Sequence, residues 1–122
     1  MYGAGAFAAL VLAAGARAQS LPSSARLLDG FESTAGWSAH PSDGVSLSIS
    51  ADSSGVHGHA MRLDFDFHGH GGYAIARKKF DIAMPENYAL SYRIRGQAPN
   101  ESFETKLIDS TGDNVWLSLI HI

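Results

Sequence analysis

The chain reads as all-β, an antiparallel β-sandwich of the jelly-roll kind. Three observations predict this. Residues 61–96 (MRLDFDFHGHGGYAIARKKFDIAMPENYALSYRIRG) hold three runs in which apolar and polar residues alternate, the period of strands with one face in a core and one in water. Between the runs lie a Gly/His-rich turn at 68–72 and the turn Pro85-Glu86-Asn87. No segment sustains a helical period, and short strands at regular spacing with turns between them suit a sandwich or jelly roll. An open barrel would give the same pattern.

The elements follow in order. Residues 27–32 (LLDGFE) read as a short first strand and 36–40 (GWSAH) as a second extended piece, closed by the turn Pro41-Ser42-Asp43-Gly44. Val45, Leu47 and Ile49 alternate with Ser46, Ser48 and Ser50, a half-buried strand with serines outward. In 59–68, Leu63, Phe65 and Phe67 share one face, and Arg62, Asp64, Asp66 and His68 the other. Residues 73–82 form the next strand, with a bulge expected where Lys78-Lys79 breaks the alternation. Tyr88, Leu90, Tyr92 and Ile94 mark another strand, 102–109 (SFETKLID) the next, and Ser110-Thr111-Gly112-Asp113 turns the chain into Asn114-Val115-Trp116.

The two ends carry their own signals. Residues 4–14 are uncharged and apolar and run to Ala16-Arg17-Ala18, a small-x-small site. This run is short for a bilayer span and reads as a secretory signal peptide over 1–18, cut after Ala18, though no Lys or Arg precedes it. Secretion or export to the periplasm follows, with no membrane association after cleavage. Residues 19–26 (QSLPSSAR) form a Ser/Pro linker, and 27–116 the domain. The final hexapeptide, 117–122 (LSLIHI), resembles a translated transposon end used in DNA library preparation, so a non-native tail is expected there.

Composition narrows the function. The residues after Ala18 suffice for one small domain. Cysteine is absent, so the domain relies on its core, on a metal or on the rest of a longer protein. The net charge is −3, and loss of Arg17 with the leader makes it one unit more acidic. That argues against a nucleic-acid partner, which would want a basic surface. There is no Gly-x-Ser-x-Gly elbow, no thiol nucleophile and no phosphate loop. No catalytic residue is therefore expected.

Two histidine pairs, His57-x-His59 and His68-x-His70, have strand spacing for a metal, but a site needs more ligands, and both read as polar turn residues. Asp64 and Asp66 have the spacing of paired carboxylates yet alternate with core residues, which makes them a solvated strand face. The aromatics carry more. Sugar C–H faces stack on rings, while Arg, Asp and His hydrogen-bond the hydroxyls. Tyr73, after the Gly-rich turn, is the expected exposed stacking residue, with Arg77, Asp66 and His70 beside it and Trp116 as a further contact. Tyr88 and Tyr92 align with Leu90 and Ile94 and are expected in the core, and Trp37 is expected to pack near the domain start.

Several motifs carry a family resemblance. The opening Leu28-Asp29-Gly30-Phe31-Glu32 is followed soon by Trp37; Gly58-His59-Ala60-Met61-Arg62-Leu63 leads into a strand; Gly72-Tyr73, Tyr88-Ala89-Leu90-Ser91-Tyr92 and Val115-Trp116 come later. In these the chain resembles the galactose-binding-like jelly-roll modules, in particular carbohydrate-binding modules related to the β-glucan-binding family eleven. It also resembles the leading domain of bacterial secreted proteins with discoidin-type repeats or glycoside hydrolase domains downstream. The resemblance implies a jelly roll incomplete at its C-terminus and a polysaccharide or glycan partner. It also implies a structural calcium near the chain start, with Glu32 at the motif position and Asp29 nearby. The expected function is a secreted, non-catalytic carbohydrate-binding module that targets a larger protein to a polysaccharide. The alternatives are an accessory domain of a glycoside hydrolase and a structural protein-interaction sandwich.

Overall fold

The computed structural model describes residues 4–10, 25–97 and 102–121, with 4–10 and 117–121 described by their backbone alone. The described chain is all-β and antiparallel, consistent with an incomplete β-sandwich. Its strands are β1 (Ala4–Leu10), β2 (Trp37–Pro41), β3 (Ser46–Asp52), β4 (Ala60–Asp66), β5 (Ala74–Lys78), β6 (Tyr92–Gln97), β7 (Ser102–Ile108) and β8 (Val115–His121). One sheet has the order β3-β4-β1-β6, and two further ladders pair β2 with β5 and β7 with β8.

Alternation sets the register. Leu47 lies opposite Phe65 and Ile49 opposite Leu63, while Ser46, Ser48 and Ser50 face Asp66, Asp64 and Arg62. One face of the β3–β4 ladder is thus apolar and the other a strip of hydroxyls and charges; a one-residue slip would exchange the two. Phe65 and Phe67 meet edge to face at 5.7 Å. The most buried side chains are Phe31, Val45, Ala60 and Met61. A smaller apolar contact lies at β6–β7, where Tyr92 packs on Phe103 and its hydroxyl accepts a hydrogen bond from Thr105 Oγ1.

Residues 27–32 do not form the expected first strand. The Asp29 carboxylate accepts the Phe31 amide at 2.7 Å, and Phe31 takes a left-handed backbone with φ 56°. This local side-chain-to-backbone bond competes with a ladder and turns the chain instead. The turn drops Phe31 into the core at 2% exposure. Trp37 packs on it with ring centres 5.6 Å apart and meets Phe80 in a T-shaped contact at 6.4 Å. The bulge expected at Lys78-Lys79 is absent as well: β5 ends at Lys78, whose ammonium reaches Asp29. Tyr88 is 44% exposed and precedes β6, which begins at Tyr92. Alternation was present at Tyr88 and Leu90, but among the described residues no neighbouring strand pairs with them.

Residues 1–3 and 11–24, including the cleavage site after Ala18 and most of the 19–26 linker, lie outside the described residues. Within the expected leader, Ala4–Leu10 form β1. At the other end the backbone of 117–121 continues β8 against β7, and Ile122 lies outside the described residues.

Candidate functional site

The site begins at the turn between β4 and β5. His70 N–H donates to the Phe67 carbonyl at 2.8 Å, and His68 and Gly69 between them have φ 50° and 77°. Two successive positive φ values are those of a tight turn of the mirror-image type, here joining strands of two different ladders. The cost of a left-handed histidine is offset by Asp66, whose Oδ1 accepts His68 N–H at 2.7 Å. His68 Nε2 lies 3.2 Å from Ser46 Oγ. The His70 ring sits over Gly44, where a Cβ would come within 3.0 Å of Cδ2.

Tyr73 follows. Its backbone is fastened to Ser42 by three hydrogen bonds: Tyr73 N–H donates to Ser42 Oγ at 2.9 Å, and the Tyr73 carbonyl accepts from Ser42 Oγ at 3.2 Å and from Ser42 N–H at 2.9 Å. Gly72 is required here, since its φ is 152° and a Cβ would collide with Ser42 Oγ. The Tyr73 side chain is 55% exposed, so a rigid backbone presents a free ring.

The five expected sugar contacts divide. His70 and Tyr73 meet the same 42–45 turn, and Asp66 caps the turn that carries His70. Arg77 is exposed on β5 opposite Ser38, and Tyr73 immediately precedes that strand. Trp116 is 53% exposed but stands on the β7–β8 ladder. None of the hydrogen bonds, ion pairs or ring contacts described joins it to the other four. Beside Asp66 a hollow of ≈ 300 Å³ is lined by Ser46, Leu47, Ser48, Asp64, Phe65 and Asp66. Asp64 is engaged by Arg62, whose Nε donates to both carboxylate oxygens at 2.9 and 2.8 Å.

Asp29 and Glu32 occupy different surroundings. Asp29 is nearly buried, and besides Phe31 it receives Trp37 Nε1 at 2.9 Å and Lys78 Nζ at 2.6 Å on Oδ2. Burial pushes its carboxyl up; hydrogen bonds from Lys78, Phe31 and Trp37, with the Lys78 charge, outweigh that and hold it below its ordinary value. Glu32 is exposed and accepts His59 N–H at 3.2 Å and His59 Nδ1 at 3.0 Å. These bonds, the imidazole's first, hold the Glu32 carboxyl low. Asp29 does not fit a calcium ion unless Lys78 is displaced, because its oxygens already accept N–H donors. Among the described residues no three His, Cys, Asp or Glu side chains gather in a metal-binding group.

Ser42, Ser46 and Lys78 are the residues that sequence reasoning passed over. Ser42 was legible as a turn residue, but its partner lies 31 positions away, and no local pattern marks such a pair. No family model matches the chain, and no curated protein and no solved structure matches it significantly.

Proposed function

We propose that this chain is a secreted, non-catalytic carbohydrate-binding module that tethers a larger protein to a polysaccharide. The observation that carries this reading is the exposed Tyr73 ring on a backbone fixed by Ser42. Rigid presentation lowers the entropy cost of binding, and an exposed ring suits the apolar face of a sugar. Asp66, His70 and Arg77 supply donors and acceptors for hydroxyls around it. Trp116 would make a second, separate contact on a longer glycan. An accessory role beside a glycoside hydrolase domain is the same activity in a longer protein. A purely structural sandwich would be favoured by a buried Tyr73, and Tyr73 is exposed.

Calcium enters this reading only as an ion that displaces Lys78 from Asp29 and recruits Glu32, both carboxylates being hard oxygen ligands. A calcium-dependent rise in melting temperature that Asp29→Asn abolishes would support it, and an unchanged melting temperature would remove calcium from the reading.

The direct experiment is native affinity electrophoresis of the chain through gels containing soluble β-glucans and other polysaccharides. Retardation by at least one polysaccharide is expected, and migration unchanged in every gel by a folded chain would end the proposal.

A further inference from the structure

The four-stranded sheet contains a position whose occupant differs in kind from its neighbours. β1 lies between β4 and β6 and runs antiparallel to both. Toward β4, Ala6, Phe7 and Ala8 pair with Leu63, Arg62 and Met61. Toward β6, Phe7, Ala8, Ala9 and Leu10 pair with Arg95, Ile94, Arg93 and Tyr92, and Ala4 pairs with Gln97 across a register shift. Among the described residues β6 has no strand partner other than β1. Take β1 away, and β4 becomes an edge while β6 loses its whole ladder. β4 and β6 would then each present a row of unpaired N–H and C=O groups to an incoming strand, which would rejoin them as β1 does.

Main-chain hydrogen bonds, which any extended segment can make, supply most of the affinity in such strand addition, and side-chain size at alternate positions supplies the selectivity. The segment seated here is AGAFAAL, uncharged, with alanine opposite both Met61 and Leu63. It belongs to the stretch whose sequence reads as a removable leader, and it connects to the rest of the domain only through residues 11–24.

We infer that the space between β4 and β6 is a peptide-binding slot for an extended, uncharged segment with small residues at alternate positions, and that residues 4–10 are its internal, exchangeable occupant. The leader then serves as a placeholder that completes the sheet until a segment of the same chemistry, supplied by another polypeptide, replaces it. Where the leader is cut after Ala18, residues 4–10 are lost and the position stands open for that segment; where it is retained, they must be displaced. The slot itself rests on the pairing.

The test uses the full chain with Phe7→Pro and Ala8→Pro together. Successive residues of a strand address opposite neighbours, so the two prolines remove one N–H toward β4 and one toward β6. Hydrogen exchange should then show lost protection at those amides of 61–63 and 92–95 that face β1, while the β3–β4, β2–β5 and β7–β8 ladders keep theirs. A labelled peptide of residues 4–10 should restore that protection and bind the variant at least about tenfold more tightly than it binds the unaltered chain. The same peptide carrying both prolines should do neither. Equal uptake by the unaltered chain, or no uptake by a variant with its other ladders protected, would overturn the proposal. So would restoration that comes only from pairing of two full chains in a dimer. Should the variant fail to fold, a protease site placed within 11–24 and cut after folding provides the same reading. The labelled peptide should replace the resident segment in the cut chain and not in the uncut one, and a cut chain that releases the segment without taking up the peptide would overturn the slot. No glycan is involved, so this result is independent of the carbohydrate reading.

Discussion

Lys78 Nζ lies 2.6 Å from Asp29 Oδ2, so the last residue of β5 closes over the turn that sends Phe31 into the core. Trp37 Nε1 shares that carboxylate at 2.9 Å, and the Lys78 ammonium also stands 5.4 Å from the Phe80 ring centre. One nearly buried carboxylate therefore joins a turn, a strand start and a strand end. Removing the carboxylate leaves the Trp37 and Lys78 donors with little solvent to replace it, which costs more than the net value of the bonds. Asp29→Ala is expected to lower unfolding stability by about 2–3 kcal/mol, measured in urea. A double-mutant cycle with Lys78→Met should show coupling, and additive effects would mean that the pair is incidental.

Acid should act through the same group. The folded-state pKa of Asp29 lies below its ordinary 3.8. A carboxylate with a depressed pKa contributes stability that is complete above the unfolded value and lost as pH falls through the folded one. The midpoint of urea unfolding should therefore fall below pH 4, and fall less in Asp29→Asn. An identical pH profile for both proteins would contradict this account.

The Phe31 turn sets burial against backbone strain. A left-handed non-glycine residue costs on the order of 1–3 kcal/mol, while burying a phenylalanine side chain contributes about 1.5–3 kcal/mol. The two nearly balance, so the Asp29 clasp and the Trp37 contact decide the outcome. Phe31→Ala keeps the strain and loses the burial, and should destabilise by about 3–5 kcal/mol, read by calorimetry.

At the candidate sugar site, Tyr73→Ala should leave the melting temperature unchanged, since the ring is exposed, and should weaken glycan retardation by roughly fivefold or more, the value of ~1 kcal/mol of stacking. Gly72→Ala tests the positioning of that ring. The added methyl collides with Ser42 Oγ, so both stability and retardation should fall. Loss of retardation in Gly72→Ala alone would show that the turn, and not the Tyr73 ring, makes the contact.

The β7–β8 hairpin carries its own acid response. Asp109 accepts Asn114 Nδ2 at 2.6 Å, Thr111 Oγ1 at 2.7 Å and Gly112 N–H at 2.9 Å. These bonds, the Asn114 side chain's first, hold its carboxyl down to about 2. The turn should stay closed through pH 4 and open as pH falls through about 2, seen as a shift of the Gly112 amide resonance. Asn114→Ala should move that transition to higher pH.

Alternation in 45–50 and 59–68 sufficed to place β3 and β4, their apolar face and their polar face, because a period of two is a local property of the chain. The glycines and Ser110-Thr111-Gly112-Asp113 likewise marked turns, since positive φ and Asx bonding are demands of single residues. Exposure of Tyr73 after the Gly-rich turn was legible on the same grounds. Tertiary structure decided three things: that the turn over 27–32 is held, because Lys78 from β5 clasps the Asp29 carboxylate that closes it locally; that Tyr88 stays outside, because no strand among the described residues pairs beside it; and that Ser42 fastens Tyr73. Each depends on a partner dozens of residues away or on a missing neighbour. Periodicity reports which face of a segment is apolar, and only the packed sheet determines what that face meets.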